Sequence, residues 1–167
     1  MLGLFAKSVH MQKITTCLWF EANVEEAIKF YTSVFKNSKI DFVGQFESGS
    51  SGPQGGFAMG TFRLEGQEFL ALSLNAASPF HFSEAISLSV NCDTQEEVDY
   101  FWTKLSEGGS TSQCGWLKDK FGLSWQIVPS LFSELIQGKD PVKKKKVMEA
   151  MLKMTKFDIQ KIKEAAE

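Results

Sequence analysis

Two stretches of the chain repeat one another at a fixed spacing, and a duplicated unit restricts the fold more than any single residue does. Glu25, Glu26 and Phe30 meet Glu96, Glu97 and Phe101 at one offset of 71 residues, and Asn23 meets Thr94 at the same offset. Further on, Gly66 corresponds to Gly122, Phe69 to Trp125 and Leu72 to Val128. A unit near 70 residues is too long for a solenoid repeat. It suits a strand-helix-strand-strand-strand module with one helix on one sheet face. The other face needs a partner, and a second module supplies it.

The local patterns agree with that module. Ile14 to Phe20 reads as a strand, and Asn23 three residues before Glu26 predicts a capping box. Val24, Ala27, Ile28, Tyr31, Val34 and Phe35 form the one-sided apolar stripe of a helix. Ile40 to Phe46 predicts a second strand, and Glu47 to Gly56 a turn or loop. Phe57 to Leu64 and Gln67 to Leu74 predict a hairpin joined by Glu65-Gly66. The order then returns. Ile86 to Val90 is a strand, Thr94 and Glu97 are a second capping box, and Val98, Phe101, Trp102 and Leu105 form the helix stripe. Gly108 and Gly109 stop that helix, and the turn residues KDKFG precede a closing strand from Leu123 to Val128.

After Val128 the pattern becomes helical. Leu131, Leu135 and Ile136 suit a short helix ending near Gly138, and Asp140 with Pro141 opens another. Val147, Met148, Met151 and Leu152 give its buried stripe, and Asp158 caps a last helix carrying Ile159 and Ile162. The expected organisation is an N-terminal extension (1–12), a first βαβββ module (13–74), a connector (75–84), a second βαβββ module (85–128) and a C-terminal helical appendage (129–167). Phe80 and Phe82 are expected to pack within the connector beside His81.

Composition narrows the function classes. The formal net charge is −2, so no broad basic field invites nucleic acid. The tail from Lys139 onward carries nine lysines and five acidic residues, but Lys143 to Lys146 point in different directions on a helix and read as a solvated face. No apolar run approaches the ~18 residues of a membrane span, so no membrane partner is expected. The first ten residues lack a long apolar core, and no cleaved signal peptide is expected. Cys17, Cys92 and Cys114 are odd in number with no CxxC spacing, which argues for a reducing, cytoplasmic setting.

Familiar catalytic signatures are missing. The two histidines are His10 and His81, and no HExxH, GxSxG or GxGxxG occurs. Cys114 reads as a small filler rather than a nucleophile, and the Gly49 to Gly56 run lacks the lysine of a phosphate loop. Strand parity is more informative. Ile86, Leu88 and Val90 share an apolar face, with Ser87, Ser89 and Asn91 opposite. Trp125 and Ile127 likewise oppose Ser124 and Gln126. Ser87, Ser89, Ser124 and Gln126, beside Thr16, Leu18, Phe20, Leu70 and Leu72 of the first module, make a candidate amphipathic cleft for a small molecule. The competing reading is that the serines simply face water.

The segments LWFEANVEEAIKFYTSVF, GQEFLALSLN, AISLSVNCDTQEEVDYFWTKLSEGG, CGWLKDKFGLSWQIVP and VMEAMLKM resemble the PhnB-like branch of the glyoxalase/bleomycin-resistance/extradiol-dioxygenase (vicinal oxygen chelate) superfamily. That branch often carries the label 3-demethylubiquinone-9 3-methyltransferase domain. The resemblance implies an α+β fold, with paired βαβββ modules forming a cupped mixed sheet and C-terminal helices, and it implies a homodimer. Metal-dependent members of the superfamily place two histidines and a glutamate on strands. Those positions fall near Thr16, near Ser87 and on Gln126 here. No cofactor is therefore expected, and only weak divalent-metal binding is compatible with such donors. A small-molecule-binding protein without the metal triad is the leading expectation. The alternatives are an enzyme acting on a small metabolite by a non-metal or weak-metal mechanism, a sequestering resistance-type protein, and a structural or protein-interaction module. In a homodimer the tail is expected to cover a sheet edge or cross near the other subunit.

Overall fold

The structure is a computed structural model that describes residues 12–47, 55–74 and 79–167. Most of the N-terminal extension, the centre of the glycine-serine run and part of the connector lie outside the described residues. The chain divides into two compact units, the first running to Ser78 and the second beginning at Pro79. The appendage belongs to the second unit.

The first unit is a βαβββ module: β1 (Thr16–Phe20), α1 (Val24–Val34), β2 (Ser38–Phe46), β3 (Phe57–Leu64) and β4 (Gln67–Leu74). Its mixed sheet runs β1-β4-β3-β2, with β1 parallel to β4 and the other pairs antiparallel. The hairpin forms as expected. Glu65 (φ 47°) and Gly66 (φ 82°) both take the left-handed conformation that a tight two-residue turn requires, and Leu64 pairs with Gln67. Val24, Ala27, Ile28 and Tyr31 of α1 are buried against one sheet face, with Leu18, Phe20, Phe62 and Phe69. Helix and sheet approach so closely that a β-carbon at Gly60 would stand 2.4 Å from Ile28 Cδ1.

The second unit repeats the plan: β5 (Ser87–Cys92), α2 (Gln95–Ser106), a short β6 (Ser110–Thr111), β7 (Trp116–Lys118) and β8 (Ser124–Pro129). Its sheet runs β5-β8-β7-β6, again with the first pair parallel. Val98 and Leu105 of α2 are fully buried, as are Leu117, Trp125 and Ile127.

The two helix starts differ. Thr94 accepts from the Glu97 backbone N–H at 3.2 Å, and the Glu97 carboxylate accepts from Asp93 N–H at 2.7 Å. That is a capping box whose return bond lands one residue early. The capping box expected at Asn23 is not made: Asn23 sits at φ 58° with no side-chain cap bond. The cause is length. Three residues link Phe20 to Val24, but two link Cys92 to Gln95. The additional residue is absorbed by a left-handed Asn23, which asparagine tolerates better than most residues.

The appendage follows as α3 (Ser130–Gln137), α4 (Pro141–Met151) and α5 (Ile159–Ala165). Asp140 caps α4 through Val142 and Lys143 N–H, and Asp158 caps α5 through Lys161 N–H. The tail packs on the second unit of its own chain. Phe157 and Met154 are buried, and Cys114 and Gly115 N–H donate to Met154 and Thr155 carbonyls at 2.8 Å each. Gln95 adds two bonds, to Phe157 O and from Ile159 N–H. Leu152 and Met148 stay 60% and 38% exposed. One connector expectation fails: Phe80 is 53% exposed rather than packed. Among the described residues, no helix is long and apolar enough to cross a membrane.

Four carboxyls are held below the usual carboxylate range. Lys39 and then Arg63 act on Asp41, Lys156 and then Gln95 act on Asp99, the Lys143 and Val142 N–H groups act on Asp140, and Lys118 acts on Glu84. Each folded value lies below the unfolded one. Their contribution is therefore complete above the unfolded carboxylate value of about 4 and is lost as pH falls through the lowered folded values. The melting temperature should be flat from about pH 7 to 5 and fall below about pH 4. A thermal-melt series checks this, and a decline already between pH 7 and 5 would reject it.

Candidate functional site

Side chains alternate across each strand, so register decides which residues share a face. In the second sheet, Ser87 stands opposite Ser124, and Ser124 opposite Lys118. Ser89 stands opposite Gln126, and Gln126 opposite Trp116. The face away from α2 thus carries two cross-strand rows, Ser87–Ser124–Lys118 and Ser89–Gln126–Trp116. The structure brings four expected residues together here. Gln126 Nε2 donates to Ser87 Oγ at 2.8 Å across the rows. Ser124 is fully buried, and its Oγ has no hydrogen-bond partner among the described residues. Ser89 is exposed.

The first sheet corrects the expected grouping. Thr16 pairs with Phe69, Leu18 with Ala71 and Phe20 with Ser73, whereas Leu70 pairs with Cys17 and Leu72 with Trp19. Thr16, Leu18 and Phe20 therefore lie on the face covered by α1, and Leu18 and Phe20 belong to the core. Leu70 and Leu72 lie on the opposite face with Cys17 and Trp19. These five residues cannot line one surface. The one-residue difference in the β1–α1 connection explains the error, since aligning Thr16 with Ser87 slips β1 by one position and inverts its faces.

The uncovered face of the first sheet is mainly apolar. Trp19, Met59, Phe57, Leu70 and Leu72 are half-buried, and Phe46 stacks on Phe57 with centroids 4.9 Å apart. One end is ionic, where Arg63 donates to Asp41 at 2.9 Å and Glu68 at 3.3 Å. A separate hollow of about 750 Å³ lies at the start of α1, lined by Glu21, Glu25, Glu26, Gln45 and Ser73 among others. Lys29 at its wall is held by Glu25 at 2.6 Å.

The donor chemistry does not fit a divalent metal. Of the three positions matched to metal ligands, Thr16 is on the helix-covered face, and Ser87 and Gln126 are neutral and bonded to each other. Among the described residues no cluster of three His, Cys, Asp or Glu side chains occurs. A methyl donor of nucleotide type fits no better. The β1–α1 connection has no glycine run, the first turn of α1 carries Glu25 and Glu26, and each sheet has one parallel pair in place of a doubly wound array. Two of the three thiols are disfavoured as thiolates. Burial, reinforced by Glu97 and Asp93, pushes Cys92 up to about 12, and burial also raises Cys17. Cys114 Sγ lies 3.7 Å from Met151 O, where the tail docks.

Sequence reasoning missed Asp119, which organises the turn beside the polar face. Asp119 Oδ1 accepts from Phe121 and Leu123 N–H at 2.8 and 3.1 Å, and Oδ2 from Trp125 Nε1–H at 2.8 Å. The signal was present as Asp three residues before Gly122, an Asx turn. Lys118 was missed too. It pairs with Glu84, which precedes β5.

Comparison with known proteins agrees with this architecture. A family profile described as 3-demethylubiquinone-9 3-methyltransferase matches residues 12–128. The PhnB protein of Bacillus cereus, which carries the same methyltransferase description, is 38% identical, with 71% of this chain and 100% of that one covered at a TM-score of 0.63. Two more distant structures share the fold alone. Protein PA1353 of Pseudomonas aeruginosa is 20% identical over 71% of this chain and 98% of its own, with a TM-score of 0.58. The fosfomycin resistance protein FosX of Listeria monocytogenes is 10% identical over 78% and 99%, with a TM-score of 0.54. No curated protein matches the chain. The matched profile ends at Val128 in β8, so it spans the two modules and stops before α3 to α5. The chain belongs to the PhnB-like family bearing the 3-demethylubiquinone-9 3-methyltransferase description.

Proposed function

We propose that this chain is a cytoplasmic, homodimeric, small-molecule-binding member of the family that works without a tightly held metal. The observation that carries the binding reading is Ser124 Oγ, buried without a partner among the described residues and beside the Ser87–Gln126 bond. A buried hydroxyl left unbonded costs free energy, and a ligand that bonds it recovers that cost. The dimer reading is supported by edge strand β2, whose Phe42 and Phe46 are 43% and 37% exposed, and by the uncovered Leu152 and Met148. Three free thiols support a reducing compartment, and a fluorescent fusion found outside the cytoplasm would reject it.

Native mass spectrometry of protein purified without chelator, repeated with divalent metals and a metabolite library, tests binding and assembly together. Twice the 18.7 kDa chain mass and an organic adduct are expected. Gln126→Ala or Ser124→Ala should weaken that adduct about 3- to 10-fold, the value of one hydrogen bond. A monomer at micromolar concentration rejects the assembly. Stoichiometric zinc or nickel surviving buffer exchange rejects the metal-free reading, and undiminished adducts in both variants reject the site.

A further inference from the structure

We infer that the Ser87–Ser124–Lys118 row receives the oxyanion of a small molecule and that Glu84 is the group this anion displaces; the inference rests on the binding reading above. Each member of the row has a proton to give. Ser124 Oγ has no partner among the described residues, and Ser87 Oγ, which accepts from Gln126 Nε2, keeps its own hydrogen for donation. Lys118 brings the positive charge, and no carboxylate occupies the row on β5, β7 or β8.

The resident partner of Lys118 is easily replaced. Glu84 does not belong to the sheet, and its side chain is 63% exposed against 39% for Lys118. Such an exposed pair contributes little to stability, so exchanging one carboxylate for another costs little. The incoming group gains bonds that Glu84 lacks, because a charged acceptor strengthens hydrogen bonds from both hydroxyls. The next row supplies a half-buried Trp116 ring and the Gln126 amide. An apolar ring beside a cation and two hydroxyls favours a compact ligand with a flat apolar body and one oxyanion, either carboxylate or phosphoryl.

Calorimetry on the full-length protein with benzoate, phenyl phosphate and uncharged benzamide tests this. One of the two anions should bind about tenfold or more tighter than benzamide, and the better one identifies the oxyanion. Glu84→Gln should tighten that anion about 3- to 10-fold by freeing Lys118, a gain that misfolding cannot imitate. Lys118→Met should weaken it about tenfold, and Ser124→Ala severalfold at unchanged melting temperature. Equal binding of benzoate, phenyl phosphate and benzamide overturns the inference, as does indifference to Glu84→Gln. Neutral library compounds that bind through Gln126 while both anions fail overturn the oxyanion but leave the binding reading standing. No adduct from any compound overturns that reading itself.

Discussion

Replacing Asp119 by alanine is expected to destabilise the second module by about 3–5 kcal/mol and lower its melting temperature by about 10 °C. The carboxylate is 3% exposed and accepts three hydrogen bonds. Alanine removes the acceptor of the Trp125 indole N–H, itself 2% exposed, in a site water does not reach. It also releases the Phe121 and Leu123 N–H groups that shape the turn between β7 and β8. Asp119→Asn would be milder, since the amide oxygen still accepts while the NH₂ opposes one of the donors. Its expected cost is about 1–3 kcal/mol, between wild type and Asp119→Ala. Urea unfolding followed by tryptophan fluorescence reads all three proteins. A change below about 1 kcal/mol for Asp119→Ala would show that the turn holds without its carboxylate.

Gly115→Ala should cost about 2–5 kcal/mol and loosen the tail. Gly115 has φ +80°, and a β-carbon there would lie 2.6 Å from both Ile127 O and Phe157 Cε2. The backbone around it binds on two sides, donating to Thr155 O and accepting from Ile127 N–H at 2.8 Å each. Relief of the clash must therefore separate β8 from its neighbour or push Phe157 out of the core. Gly66→Ala is the control, with φ +82° and nothing within 4 Å of the added carbon. It should lose only the conformational part, about 1–2 kcal/mol. Amide hydrogen exchange at Cys114 and at position 115, whose N–H groups donate to the Met154 and Thr155 carbonyls, should accelerate in Gly115→Ala, whereas Gly66→Ala leaves it unchanged. Equal costs for the two substitutions would mean that the tail yields freely at this contact.

Features governed by neighbouring residues were legible in the sequence. The hairpin at Glu65-Gly66, the caps at Thr94, Asp140 and Asp158, and the opening of α4 at Pro141 depend on groups a few positions apart. The apolar stripes marked α1 and α2, and their common offset revealed the duplication. The polar parity of β5 and β8 was equally readable, because alternation within one strand needs no knowledge of its partner.

What depended on distant pairing was not readable. Thr16 and Phe69 are 53 positions apart, and their register decides that Thr16, Leu18 and Phe20 lie beneath α1 while Leu70 and Leu72 do not. One additional residue before α1 inverted that assignment, because a strand's faces alternate at every position. The roles of Asp119 and Lys118 were hidden for a related reason. Burial made the Asp119 carboxylate an anchor for Trp125, and cross-strand neighbours placed Lys118 beside Ser124. Sequence alone determined the modules and their local hydrogen bonds. Tertiary structure decided which faces are covered and which polar atoms lose water, since both follow from contacts between segments far apart along the chain.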